Sequence, residues 1–175
     1  MTLEHSVNQP IDDLVAECCA ELFHDYGLDV EARKRDDFPA PEELALCGVM
    51  GFAGKQVRGA LVLAATKEPL ERTNPGNQQS QRDWICELAN QLLGRVKNRL
   101  LLRDVEILLA TPTALRGDNL CPITARIRAP QVFAASGGGF VCVWIDFELA
   151  MGFEIPAAPL PGIQAAVSEG ETVLF

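Results

Sequence analysis

Glu87 and Asn90 stand three residues apart in the stretch QSQRDWICELANQLLGRVKNRLLLR, from Gln79 to Arg103. Their side chains combine a carboxylate, which accepts hydrogen bonds or pairs with a cation, and an amide, which donates and accepts at once. On a helix, residues at i and i+3 project side by side. At ~100° per residue, Asp83, Glu87, Asn90 and Gly94 share an arc of about 60°. Neither Asn nor Gly suits a helix that needs only to be soluble: Asn competes for backbone hydrogen bonds, and an interior Gly costs about 0.5–1 kcal/mol relative to Ala. A bare Gly94 one turn beyond Asn90 would let another surface come close to the backbone. On these residues alone two readings stay open, a solvated helix face with an incidental Gly and a flat docking site carrying one carboxylate and one amide. Asp83 is equally a docking-rim residue or a helix-start acid favoured by the macrodipole.

The helix that would hold these groups has the pattern of a core-facing element. Trp84, Ile85, Leu88, Ala89, Leu92, Val96 and Leu100 fall on the side opposite the polar arc, and Ser80 stands where an N-cap is needed. An earlier helix is expected over Ile11 to Tyr26, after a frayed Met1 to Gln9, with Pro10, Asp12 and Asp13 as its start signal and Gly27 as its stop. A short strand is expected at Asp29 to Arg33. LALCGVMGFAGKQVRGALVLAAT reads as an antiparallel hairpin turning at Ala53 to Gln56. Lys67 to Thr73 is a short helical turn, Val105 to Ala110 a short strand, and Pro112 with Gly117 to Pro122 an irregular connection. Ile123 to Ala134 and Phe140 to Met151 close the set as strands joined across SGGG, with Pro130 pointing to an edge position or a bulge. The predicted fold class is α+β: a mostly antiparallel sheet built from two hairpins, with two amphipathic helices packed on one face. Residues 1–152 form a single domain in this reading. Residues 153–175, rich in Pro and small side chains, form a tail laid on the surface or on a neighbouring chain.

Composition narrows the function classes. The chain has 175 residues and a formal net charge of -9, so nucleic-acid backbones and anionic membrane surfaces would repel it. A partner with basic features fits better. Nothing in the first thirty residues resembles a basic segment followed by an apolar one, as a leader would have, and no apolar run approaches the ~20 residues of a membrane span, which makes the cytoplasm the expected compartment. Six cysteines, Cys18, Cys19, Cys47, Cys86, Cys121 and Cys142, form no CxxC pair and no zinc spacing, and most lie in apolar segments, as reduced core residues would. His24 reads as a helix-terminal or solvated residue. Gly54 and Lys55 do not make a phosphate loop, because Val49 stands in place of its first Gly and Gln56 in place of Ser or Thr. Gly137 to Gly139 lack the third glycine of a dinucleotide fingerprint, since Cys142 stands there.

Asp83, Glu87, Asn90 and Gly94, followed by Pro112 in ATPTALRG, resemble the signature of the CheC/CheX/FliY family of chemotaxis phosphatases. ELANQLLGRVKNRL is most similar to the CheX branch. Two departures stand out: the interval from Asn90 to Pro112 is one residue shorter than the CheC pattern, and a single copy of the motif is present where CheC proteins commonly carry two. The resemblance implies that Glu87 and Asn90 act on the aspartyl phosphate of a CheY-type response regulator. Asn90 would orient the attacking water, as a Gln does in GTPases, and Glu87 would anchor the lysine beside the phosphoaspartate. Asp83, Gly94 and Pro112 would belong to the partner-binding surface. The chain would carry no cofactor of its own, with Mg2+ supplied by the regulator. Its partner would be a phosphorylated CheY-like receiver domain, and it would be a homodimer. The alternative is a non-catalytic adaptor that binds a signalling or flagellar-switch partner through the same fold.

Overall fold

Period-two alternation along the two longest hairpin strands gives a sheet with two different faces. The computed structural model describes residues 4–40, 43–44, 46–77, 80–117, 120, 122 and 129–163. In chain order its elements are α1 (Glu4–Asp25), β1 (Val30–Arg33), β2 (Leu46–Ala53), β3 (Val57–Ala65), α2 (Lys67–Thr73), α3 (Gln81–Leu101), β4 (Leu108–Leu109), β5 (Thr113–Arg116), β6 (Gln131–Ala135) and β7 (Phe140–Leu149). The seven strands form one sheet in the order β1-β6-β7-β3-β2-β4, with β5 also paired to β2. Each of these pairings is antiparallel.

Odd and even positions of each strand serve different cores. Leu46, Met50 and Phe52 of β2 and Val141, Val143, Ile145 and Phe147 of β7 join the larger cluster, with α1 contributing Leu14, Val15, Cys18, Leu22 and Phe23 and α3 contributing its apolar stripe. All seven predicted stripe residues are buried, and Leu93 joins them. The intervening residues Cys47, Ala64, Val132, Cys142 and Trp144 form a smaller cluster on the opposite face with Leu44. Phe38 meets Trp144 edge-on there, with ring centroids 5.8 Å apart. The predicted α+β class with two helices on one face is what the structure has; the second, smaller core is an addition.

The local signals for helix ends act as chemistry requires. Gly27, at φ 73°, allows the amides of Gly27 and Leu28 to bond the carbonyls of His24 and Phe23 at 2.8 and 2.9 Å, the five-to-two and six-to-one bonds, in that order, of a glycine-stopped helix. Both Phe23 and Leu28 are buried. Ser80 caps α3 through its hydroxyl oxygen, which accepts from the Asp83 amide at 3.2 Å.

Three expectations need correction. Helix α1 spans Glu4–Asp25 where the sequence pattern predicts a start at Ile11, so Glu4 to Gln9 of the stretch read as frayed are helical, and Pro10 lies inside the helix and does not mark its start. The strand expected over Val105 to Ala110 is reduced to Leu108–Leu109, and the irregular connection expected from Pro112 contains strand β5. Register explains both: Leu109 pairs with Phe52 and Thr113 with Val49, so the edge strand carries one residue more than β2 between those points. That is a bulge, and Pro112, which has no N–H for the ladder, sits in it. Pro130 directly precedes β6, which lies between β1 and β7. Residues 123–128, assigned to that strand from sequence, lie outside the described residues.

Beyond β7, Phe153 packs on the larger core and Ile155 is buried within it. Arg103 donates to the carbonyls of Pro156 and Ala157 at 3.1 and 3.4 Å, and the Leu160 amide bonds the Leu102 carbonyl at 2.8 Å. Residues 153–163 therefore lie against the C-terminal end of α3; the remainder of the expected tail is outside the described residues.

Candidate functional site

Helix α3 is pressed onto the sheet at one point. A Cβ on Gly48 of β2 would stand 2.8 Å from the Ile85 carbonyl oxygen and 3.0 Å from the Ala89 Cβ, too close for any side chain to be admitted without moving the helix. Ile85 and Ala89 bracket Glu87, so this contact fixes the height above the sheet of the turn that bears the polar pair. The opposite side of that turn faces outward. Asn90 is exposed, Glu87 and Gly94 are half-buried, and a Cβ built on Gly94 meets nothing within 4 Å. The open stripe is thus flat where the sequence lacks a side chain.

The predicted residues are not equivalent. Asp83 is exposed, but its carboxylate is engaged: it accepts from the Ser80 hydroxyl at 2.7 Å and from the Arg82 guanidinium at 3.1 Å. These two interactions, Ser80 first and Arg82 second, hold its carboxyl below the ordinary Asp value. Between the two roles open for Asp83, the geometry favours the helix-start acid. Pro112 is half-buried, in the bulge between β4 and β5. Glu87 accepts a 2.7 Å hydrogen bond from the Gln91 amide, and the Asn90 side chain has no hydrogen-bond partner among the described residues.

Sequence reasoning missed two participants in this arrangement. Gln91 stands at i+4 from Glu87, a spacing that does signal a helical side-chain pair. Tyr26 donates to the Gln91 carbonyl oxygen at 3.0 Å from the end of α1, 65 positions away in sequence, and no local pattern could disclose that.

Farther along α3, the charged groups are spent on internal pairs. Arg95 meets Asp25 at 2.6 Å and Arg99 meets Glu21 at 2.7 Å, both on α1. Among the described residues, Cys18, Cys19, Cys47 and Cys142 are buried free thiols and Cys86 is half-buried; Cys121 lies outside the described residues. Burial pushes the Cys18 and Cys142 thiols up to about 12, so they stay protonated and unreactive. No helix among the described residues is long and apolar enough to cross a membrane.

A family profile described as chemotaxis phosphatase CheX matches residues 46–148, more than half of the chain. No curated protein matches the chain in sequence. Among solved structures, chemotaxis protein CheX from Vibrio vulnificus is similar with a TM-score of 0.63 at 16% identity, over 79% of this chain and 96% of that one. The CheX-CheY-BeF3-Mg2+ complex from Borrelia burgdorferi contains a chain similar with a TM-score of 0.53 at 12% identity, over 81% and 97%. The middle domain of FliM from H. pylori is similar with a TM-score of 0.52 at 12% identity, over 81% and 88%. At these identities the likenesses establish the shared fold and nothing finer.

Proposed function

The chain belongs to the CheX family of chemotaxis phosphatases, and from that membership we propose that it hydrolyses the aspartyl phosphate of a CheY-type receiver domain through Glu87 and Asn90. One observation carries the reading: a carboxylate and an amide stand one turn apart on the open side of α3, the carboxylate held in place and the amide unengaged, beside a glycine that leaves room for a partner. A CheX–CheY complex in the family lends support, as a property of that relative.

Hydrolysis of an acyl phosphate leaves little covalent chemistry to the protein, and positioning is the main task. In this mechanism the water oxygen bonds to phosphorus as the phosphorus–oxygen bond to the receiver's aspartate breaks. The aspartate leaves as a carboxylate and the water's proton departs with inorganic phosphate. Asn90 holds the water in line, its carbonyl accepting from the water while its N–H2 donates to a phosphoryl oxygen. Glu87 pairs with a lysine of the receiver and sets the docking register. In this proposal Mg2+ is supplied by the receiver, since Glu87 and Asn90 alone offer too few ligands for an ion that demands octahedral oxygen coordination. The partner-binding surface is Gly94 and its surroundings on α3, with Pro112 shaping the neighbouring bulge and Asp83 serving mainly the helix start.

The test is a panel of phosphorylated receivers with inorganic phosphate release as the readout. Release accelerated by the unaltered chain and abolished by Asn90→Ala is the expected result. Binding of a receiver without accelerated release would put the adaptor reading in its place. The homodimer is part of the same proposal, and light scattering checks it: a solution mass of 19.0 kDa at micromolar concentration would remove it.

A further inference from the structure

A carboxylate on a helix surface ordinarily samples several rotamers, and fixing one costs side-chain entropy. Glu87 is spared that at the moment of docking, because a chain of side chains already holds it. Its Oε1 can only accept, so Gln91 must present Nε2, at 2.7 Å. That turns the Gln91 carbonyl oxygen outward from Glu87, where the Tyr26 hydroxyl donates to it at 3.0 Å. The Tyr26 ring in turn meets Trp84 edge-on, with centroids 5.1 Å apart at 88°. Trp84 is buried, and its indole N–H donates to the Thr73 hydroxyl of α2 at 3.0 Å. The Thr73 hydroxyl then donates to the Pro69 carbonyl at 2.7 Å. Every donor in the series finds an acceptor, and its far end is anchored in the core. Tyr26 itself is placed by the helix stop at Gly27.

We propose that Gln91 and Tyr26 are positioning residues for Glu87: they hold its carboxylate in the orientation that meets the receiver, and neither touches the reacting phosphoryl group. This rests on the phosphatase reading given above. Because the tether acts on docking and not on the water, its loss raises KM for the phosphorylated receiver and leaves kcat nearly unchanged.

Tyr26→Phe is the cleanest probe, since it removes one hydroxyl and keeps the ring against Trp84. With a receiver that the unaltered chain dephosphorylates, Tyr26→Phe and Gln91→Ala are each expected to raise KM roughly five-fold, in line with one lost hydrogen bond, with kcat within about two-fold. In a Glu87→Ala background both substitutions are expected to have no further effect, because their target is gone. A KM increase of the same size in that background would overturn the tether by showing that the residues act elsewhere. Unchanged KM in both single variants, with hydrolysis intact, would remove the tether alone. If the unaltered chain releases phosphate from no receiver, the phosphatase reading fails and this role fails with it.

Discussion

The two halves of α3 treat their polar side chains in opposite ways. In the second half, Arg95 and Arg99 reach back to Asp25 and Glu21 of α1, and Arg103 holds the carbonyls of Pro156 and Ala157. Charge there fastens one element to another; Asp25, an acid at the C-terminal end of α1 where the helix dipole disfavours it, is offset by Arg95. In the first half, the polar groups beyond the cap point outward. Among the described residues Glu87 is held by its neighbour Gln91, Asn90 is exposed and Gly94 adds no side chain. The helix is thus fastened by one half and left open by the other. A flat, polar, outward-facing stripe suits docking, while the buried residues along the whole length of α3 hold it on the core.

Breaking the open half should cost activity without stability. Asn90→Ala is expected to lower kcat for receiver dephosphorylation on the order of 10²-fold or more, equivalent to roughly 2.7 kcal/mol, with the thermal midpoint unmoved. A variant that hydrolyses as fast as the unaltered chain would remove Asn90 from catalysis. Lifting the whole helix should cost both. Gly48→Ala places its Cβ against the Ile85 carbonyl and Ala89, and overpacking of this kind destabilises by about 1–3 kcal/mol, a fall of ~2–4 °C per kcal/mol for a chain of this size. Calorimetry together with phosphate release would show whether the two properties fall together, as the shared contact requires.

Gly94→Leu should separate them in the reverse sense. The helix gains about 0.5–1 kcal/mol from losing an interior glycine, while the new side chain stands where the partner must lie and raises KM. A variant that is stabilised and still binds its receiver normally would move the docking surface away from Gly94. The smallest effect is expected from the fastened half. Arg99→Ala removes an ion pair whose two side chains are 38% and 42% exposed, so it should cost no more than about 1 kcal/mol, less at high salt, and leave hydrolysis as it was.

The sequence disclosed those parts of the molecule whose signals are local. The apolar stripe of α3, the Ser80 cap, the Gly27 stop and the hairpins β2–β3 and β6–β7 each follow from periodicity or turn chemistry over a few residues. The juxtaposition of Glu87, Asn90 and Gly94 could be read from spacing on one helix. What escaped depends on partners distant in the chain. Strand β5 hides behind the bulge at Pro112, and its Leu115, 48% exposed, does not alternate with the residues around it as a core strand would. The start of α1 was obscured because Pro10 mimics a first-turn proline. The end of α3 has no glycine: Asp104 takes the left-handed conformation at φ 60°, a role that Asp fills less often than Gly or Asn. Phe38 and Leu44 lie in a charged segment that gives no hint of a second core. Gln91 was within reach of helical spacing, but its purpose appears only once Tyr26 is brought beside it.

The pairing of β3 with β7 carries a consequence for the order in which the molecule assembles. Val57 lies opposite Leu149 and Ala65 opposite Val141, so every rung of this central ladder closes a loop that contains α2, α3 and the bulged edge strand. The β2–β3 hairpin can form early, being local. Its β3 edge waits for a strand that arrives from the far side of α3. Loop closure of that length costs entropy before any rung repays it, and chains dominated by such distant pairings fold in roughly milliseconds to seconds, slower than helices form. Helix α3 therefore lies within the connection that this ladder closes. A chain cut between α3 and β6 would keep the site and its seat on Gly48 of β2 and lose β6 and β7, the strands that pair with β1 and β3 and complete the sheet.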